Sequence, residues 1–341
     1  MIMRWGEFLL YLYVRLVRPE RMPCLPLTIH LETTTQCNLA CTMCPRTLAL
    51  SRANSQNKNH WHRNLSLEQF SAVLHQFDRL RCIRLHGLGE PLMNPDLIAM
   101  VSLASAQGIE VEFTTNAVLL SPAVSKNLIQ SGLSHLTVSL DGATAGTYEK
   151  IRVGAQFDTV VENVRRMVET KARLNKRHPI LSINMVITRE NLHELHDLLR
   201  LAKDLGATEV RASPLEPPSR ELAAWVPDRS AWWEATRHAR NLAWQLEIAF
   251  EDYGAFHQSQ DSNSSPTYRG IRCTRPWLAP YIRLDGYVTP CCNISDWRVL
   301  GGLNVFEKNF RSIWNSEQFR RFRRQLKRGP LPSICRQCPL A

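Results

Sequence analysis

Between residues 27 and 213, β-leaning runs alternate with helical runs six times, and that alternation leaves few folds open. The β runs are 27–34 (LTIHLETT), 82–87, 110–116, 135–142, 180–188 and 209–213, and helical patterns fill 66–77, 94–107, 121–131, 157–175 and 191–205. Ser66, Asn94 and Ser121 stand where helices should begin, the last two followed by proline at the first helical position. Gly108, Gly132 and Gly206 stand where helices should stop. Strands that alternate with helices pair in parallel through right-handed crossovers. Six units are too few to close an eight-fold barrel.

The remainder breaks this pattern. Residues 214–230 are proline-rich and linker-like, 230–250 (SAWWEATRHARNLAWQLEIAF) reads as a helix, and 258–266 is a polar loop. A second, small module begins at Cys273. The expected organisation is an N-terminal amphipathic helix over 1–26, a core domain over 27–215, a linker and helix over 216–270, and a Cys-rich domain over 271–341. The apolar run 8–14 is flanked by Arg4, Arg15, Arg18 and Arg21. Seven apolar residues fall short of the roughly 20 that span a bilayer, and no small-residue cleavage site follows. The segment either packs on the main domain or lies in a membrane interface.

Ten cysteines are clustered: three at 37–44, two at 291–292, two at 335–338, with Cys24, Cys82 and Cys273 apart. Clustering in a chain of 341 residues without an export signal reads as metal binding in a reducing, cytoplasmic setting. Cys37, Cys41 and Cys44 form C-x3-C-x2-C on the loop after the first β run. Three thiolates there can hold three irons of a [4Fe–4S] cube and leave the fourth open, while zinc would want a fourth protein ligand. At the other end, Cys273, Gly286 and Cys291 are spaced C-x12-G-x4-C across a hairpin turning at Asp285-Gly286, and Cys335 and Cys338 add a C-x2-C pair. Four thiolates satisfy either a cube or a zinc ion. Cys292 can substitute for Cys291 by spacing alone, and Cys24 and Cys82 read as buried structural thiols.

The C-x3-C-x2-C loop after a first strand, HGLGEPL at 86–92, TTNA at 114–117 and VSLDG at 138–142 together resemble the radical S-adenosylmethionine (radical SAM) enzymes. The resemblance implies a partial (β/α)6 barrel with ligands at the carboxyl ends of the strands. It implies a catalytic cluster on Cys37, Cys41 and Cys44 whose open iron chelates SAM, and reductive cleavage of SAM to a 5′-deoxyadenosyl radical that takes a hydrogen from the substrate. Gly89 and Glu90 match the family's glycine-rich motif, which contacts the SAM amino group, although Gly-Leu-Gly-Glu replaces the commoner Gly-Gly-Glu. Asn116, Ser139 and Asp141 match segments near the ribose or methionine end, and Arg152 is the expected partner of the SAM carboxylate. The C-terminal cysteines resemble a SPASM/Twitch auxiliary-cluster module. That implies a second [4Fe–4S] cluster on Cys273, Cys291, Cys335 and Cys338, with an electron-transfer role.

The same resemblance implies a substrate that is a peptide or a sugar- or aminocyclitol-like molecule. The formal charge is +11, and 311–328 holds seven Lys/Arg against Glu317. Such a run suits an acidic electron donor of flavodoxin or ferredoxin type, with Phe319, Phe322 and Leu326 facing inward and the arginines facing the donor. No nucleic-acid-binding motif accompanies the charge, so nucleic acid is not the expected partner. An RNA-modifying radical SAM enzyme and a non-enzymatic zinc protein are the competing readings.

Overall fold

A computed structural model describes residues 5–51, 62–217, 219–253, 273–294, 296–336 and 338. The polar run 258–266 lies outside the described residues. The strands are β1 (Thr28–Leu31), β2 (Cys82–Leu85), β3 (Glu110–Thr115), β4 (His135–Ser139), β5 (Ile180–Ile187), β6 (Glu209–Pro214), β7 (Ala249–Asp252), β8 (Tyr281–Ile282) and β9 (Val288–Thr289). The helices are α1 (Trp5–Val17), α2 (Pro45–Ser51), α3 (Leu67–Leu74), α4 (Leu97–Ala106), α5 (Pro122–Gln130), α6 (Ala145–Ile151), α7 (Phe157–Arg173), α8 (Leu195–Asp204), α9 (Arg220–Ala223), α10 (Arg229–Gln245), α11 (Arg275–Leu278), α12 (Phe310–Trp314) and α13 (Glu317–Arg328). The chain forms two compact units. One holds Met1–Thr33, Leu65–Gly87 and Phe256–Ala341, and the other holds Thr34–Asn64 and Leu88–Ala255.

In the second unit β3, β4, β5, β6 and β7 pair in that order, all parallel. Apolar residues at helical spacing seat the crossover helices. Val160, Val164 and Met167 are buried on α7, and Leu195, Leu198 and Leu199 on α8. Ser121 caps α5 through Val124 N–H (3.3 Å), with Pro122 at its first position as expected. Gly108, Gly132 and Gly206 all take left-handed φ of 71–87° at the helix ends. Three expectations need correction. Residues 230–250 are not one helix: α10 ends at Gln245, Glu247 turns through φ 52°, and Ala249–Asp252 returns as an additional parallel strand. Asn94 does not begin α4. It closes the tight turn Pro91–Met93 and accepts Asp96 N–H (2.9 Å), so the helix starts at Leu97. Residues 145–151 form α6, capped by Thr144, which the apolar pattern did not reveal.

In the first unit β1 pairs in parallel with both β2 and β8, and β8 turns back onto β9 through Asp285-Gly286. Gly286 has φ 87°, and a Cβ there would stand 2.3 Å from Asn304 Oδ1, so only glycine makes this turn. Ser66 and Gln69 form the capping box of α3. The basic run 311–328 is divided between two helices, α12 and α13. Ser316 starts α13 by accepting Phe319 N–H (3.3 Å), while Asn315 is held by both backbone groups of Met22.

Phe319, Phe322 and Leu326 face the core of this unit as the spacing implies, but Arg323 lies there with them at 0% exposure. Its guanidinium stacks 4.0 Å over Trp314 and donates to the carbonyls of Pro276 (3.0 Å), Trp314 (2.8 Å) and Glu20 (3.2 Å). Burial pushes its pKa down to about 9, still far enough above neutral to keep the charge. Arg324 and Arg328 pair with Glu20, and Lys327 donates to Val17 O. Four of the seven charges therefore fasten α13 to the end of α1, to the segment after it or to the core, and only part of the run is offered to a partner. Arg323→Ala should leave three carbonyls, two of them buried, short of a donor and destabilise this unit by about 3 kcal/mol. Arg320→Ala, which breaks a surface pair with Glu317, should stay within about 0.5 kcal/mol. Thermal melts of the two variants check this; equal melting midpoints would show that Arg323 is not an internal tie.

Candidate radical SAM site

The cysteine loop is fixed by backbone bonds to the end of α6. Ala40 N–H donates to Val153 O (3.0 Å), and Thr42 N–H to Ile151 O (3.1 Å). Cys44 N–H returns to Cys41 O (3.2 Å), and α2 starts immediately beyond. Buried Arg46 donates to Thr35 O (2.6 Å), closing the other side. A loop so held keeps three thiols together. Cys41 is buried and Cys37 and Cys44 are half-buried. Burial pushes the Cys41 thiol up to about 11, opposed by the nearby Arg152 charge, and pushes Cys37 up as well. Cys37 and Cys44 are also close enough to raise Cys41, so their charges would repel one another unless iron took them.

Gly89 lies against this loop. A Cβ there would come within 2.4 Å of Thr34 O and 2.5 Å of Gln36 O, so any side chain would force the turn away. Glu90 N–H donates to Gln36 O (2.7 Å). The Glu90 carboxylate is buried and fully engaged: Oε1 accepts Thr115 Oγ1 (2.6 Å) and Leu92 N–H (3.2 Å), and Oε2 accepts Asn116 N–H (2.8 Å). Burial pushes its pKa up despite these bonds. Asn116 in turn donates to Asn38 Oδ1 (2.9 Å) inside the cysteine loop. Glu90 thus ties the glycine turn to the end of β3, and Asn116 ties β3 to the thiol loop.

Ser139 ends β4, buried, opposite Asn184 on β5. Asp141, two residues on, has no exposed surface. Its Oδ1 accepts Val186 N–H (2.7 Å) and its Oδ2 accepts Arg152 Nε (2.5 Å). Arg152 is raised because the Asp141 carboxylate outweighs burial. The expected SAM-carboxylate partner therefore already has its Nε bound to Asp141, with its charge beside Cys41. Three residues that the motifs did not single out complete the frame. Asn191 donates to Asp141 O (3.0 Å) and Val186 O (2.9 Å). Glu194 accepts from Ala143 N–H, Thr144 N–H and the Thr144 and Thr147 hydroxyls, which bring its carboxyl below its usual range against the opposing effect of burial. Tyr148 is buried with its hydroxyl unpartnered among the described residues, and its pKa is raised by burial. A carboxylate 50 residues from the turn it pins has no local signature.

In the other unit the four C-terminal thiols converge. Cys335 feels the charges of Cys273 and Cys338, and Cys291 that of Cys273. Burial pushes Cys335 up to about 12 and raises Cys291 and Cys273. Cys292, next to Cys291, accepts Arg275 Nη1 and lies beside His30 and His86. Cys24 and Cys82 are half-buried. Three buried or half-buried thiols on one loop near a guanidinium, and a second set of thiols near Arg275, are donor sets that suit iron–sulfur clusters.

The radical SAM superfamily model matches residues 31–202, and the SPASM iron-sulfur cluster-binding domain model matches 273–339. The chain is a radical SAM enzyme. It is 31% identical over 309 residues to the mycofactocin maturase MftC of Mycobacterium tuberculosis, covering 89% of this chain and 74% of that protein. Identity to the PqqA peptide cyclase of Gluconobacter oxydans is 27% over 327 residues, covering 93% of this chain and 84% of that protein. Among solved structures, Streptococcus suis SuiB bound to precursor peptide SuiA superposes with a TM-score of 0.69 at 16% identity, covering 98% of this chain and 74% of that one. That likeness shows the fold, an open (β/α)6-type α/β barrel with a C-terminal Cys-rich domain. The cofactors of this radical SAM enzyme are SAM and two [4Fe–4S] clusters. Asp141→Ala should strand Arg152 as a buried unpaired cation, costing roughly 3–5 kcal/mol. Glu90→Gln, which faces amide hydrogens towards existing donors, should cost about 1–3 kcal/mol. Both should weaken SAM binding measured by equilibrium dialysis; wild-type melting of Asp141→Ala would refute the tie.

Proposed function

We propose that this enzyme modifies a peptide, with Cys37, Cys41 and Cys44 holding the catalytic cluster and Cys273, Cys291, Cys335 and Cys338 the auxiliary one. The observation that carries the reading is the difference in ligand number: three thiols on the loop, four in the C-terminal set. When bound, the first cluster supplies the electron that splits SAM to a 5′-deoxyadenosyl radical, and the second supplies electron transfer. The chain's part is positional. The Gly89–Glu90 turn, fixed by Thr115 and Asn116, presents its backbone to the SAM amino group. Arg152, oriented through Asp141, places positive charge for the SAM carboxylate. Asn116, Ser139 and Asp141 frame the ribose and methionine end.

A peptide substrate is favoured over a sugar or aminocyclitol because the relatives are named as a maturase and a peptide cyclase. The reducing partner is an acidic flavodoxin or ferredoxin, suited to a chain of +11. A second contact is with an anionic bilayer surface. Leu9, Leu12, Tyr13, Leu16 and Val17 form an exposed stripe at helical spacing on α1, and exposed Arg15 and Arg21 supply the charge such a surface attracts. No helix among the described residues is long and apolar enough to cross a membrane.

Reconstituted enzyme should hold about eight irons per chain, and Cys335→Ser with Cys338→Ser should halve that while SAM still binds. Replacing Cys37, Cys41 and Cys44 by Ala should abolish 5′-deoxyadenosine formation under dithionite. Co-expression with short peptides encoded nearby should yield one of changed mass; turnover of an aminocyclitol with every peptide untouched would overturn the peptide reading. Leu12→Glu with Leu16→Glu should abolish flotation with phosphatidylserine vesicles, and a wild type that fails to float would remove the bilayer contact.

A further inference from the structure

Three potential ligands outside both cluster sets meet in the first unit. His30 is the third residue of β1 and is 3% exposed. His86 directly follows β2, and Cys292 lies three residues beyond β9. The sheet register accounts for the meeting. His30 stands beside Arg84 on β2 and beside Tyr281 on β8, so His86, two residues past Arg84 on the same face, is its diagonal neighbour. The hairpin β8–β9 then carries Cys292 back to that edge. His30 Nδ1 and His86 Nε2 face one another within hydrogen-bond range, their rings stacked at 4.7 Å and 30°. With Cys292 Sγ, the three donor atoms all lie within 4.8 Å of one another.

A hydrogen bond between the two imidazoles would not by itself use the thiol that stands beside them. A tetrahedral metal accommodates all three, because zinc bonds of about 2.0–2.1 Å to nitrogen and 2.3 Å to sulfur set the donors roughly 3.3–3.6 Å apart. We propose that His30, His86 and Cys292 bind one zinc ion through two nitrogens and one sulfur, leaving a fourth position for water or a substrate donor atom. This goes beyond the peptide-modifying reading and does not depend on it. The site adjoins the auxiliary set: Cys291 lies near both Cys292 and Cys273, while Cys292 Sγ also reaches the two imidazoles. Arg275 Nη1 donates to Cys292 Sγ, an outer hydrogen bond that disperses thiolate charge and orients the ligand. Arg275 and Arg84 also add positive charge nearby, which weakens the site relative to one built from four thiolates. With a single thiolate and two neighbouring guanidiniums, the site is suited to an ion that exchanges.

The test uses the anaerobically purified enzyme with both clusters, equilibrated with one equivalent of zinc chloride and desalted. Elemental analysis should find one zinc per chain in addition to the iron. Zinc K-edge absorption should show two nitrogens near about 2.0–2.1 Å and one sulfur near about 2.3 Å. His86→Asn and Cys292→Ser should each lower zinc affinity by about tenfold or more while iron and sulfide contents stay unchanged. Wild type without zinc, a shell of four sulfurs, zinc retained by both variants, or loss of about four irons in Cys292→Ser would each overturn the proposal. If a variant fails to fold, the wild-type absorption edge decides alone.

Discussion

The second unit depends on one buried carboxylate. Asp141 has no contact with water, yet carries a charge that must be matched. It is matched from two directions: the Val186 amide on β5 and the Arg152 guanidinium at the end of α6. That single group therefore sets the spacing of two strand ends and the exit of a helix. The same helix end receives the backbone of the cysteine loop through Ile151 and Val153. A shift at Asp141 would move the thiols with it, which is how a residue outside the cysteine loop governs where three thiols stand.

Charge is handled differently in the first unit. Arg323 is buried with no carboxylate partner among the described residues and is held by three carbonyls and two aromatic faces. Glu20 then ties Arg324 and Arg328 to the segment following α1. The most basic stretch of the chain thus works largely as internal fastening. The thiols of both units share one physical condition: burial favours their neutral form. Loading iron must therefore release protons, and the adjacent Arg152 and Arg275 lower that barrier.

Much of this was legible along the chain. Strand and helix alternation, the capping box at Ser66, the proline-started helix after Ser121, and the Asp285-Gly286 turn follow from local rules that act within a few residues. The thiol spacings were legible for the same reason, since three ligands on one short loop need no tertiary information to be neighbours. Misreadings arose where two local signals competed. Residues 246–250 continue an apolar helical pattern, but a left-handed turn at Glu247 lets them join the edge of the parallel sheet. Asn94-Pro95 has the form of a helix start, but the preceding turn claims Asn94 first.

Sequence by itself determined the alternating α/β class, the two cysteine sets and the amphipathic character of α1 and α13, because each is written in spacing. Tertiary structure alone decided which polar groups answer one another. Glu90 meets Thr115 and Asn116, Glu194 meets the turn at 143–147, Arg323 enters a core, and Cys292 meets two histidines far back along the chain. Buried charge and hydrogen-bond capacity must be satisfied by whatever the fold brings near, and separation along the chain carries no information about which group that will be.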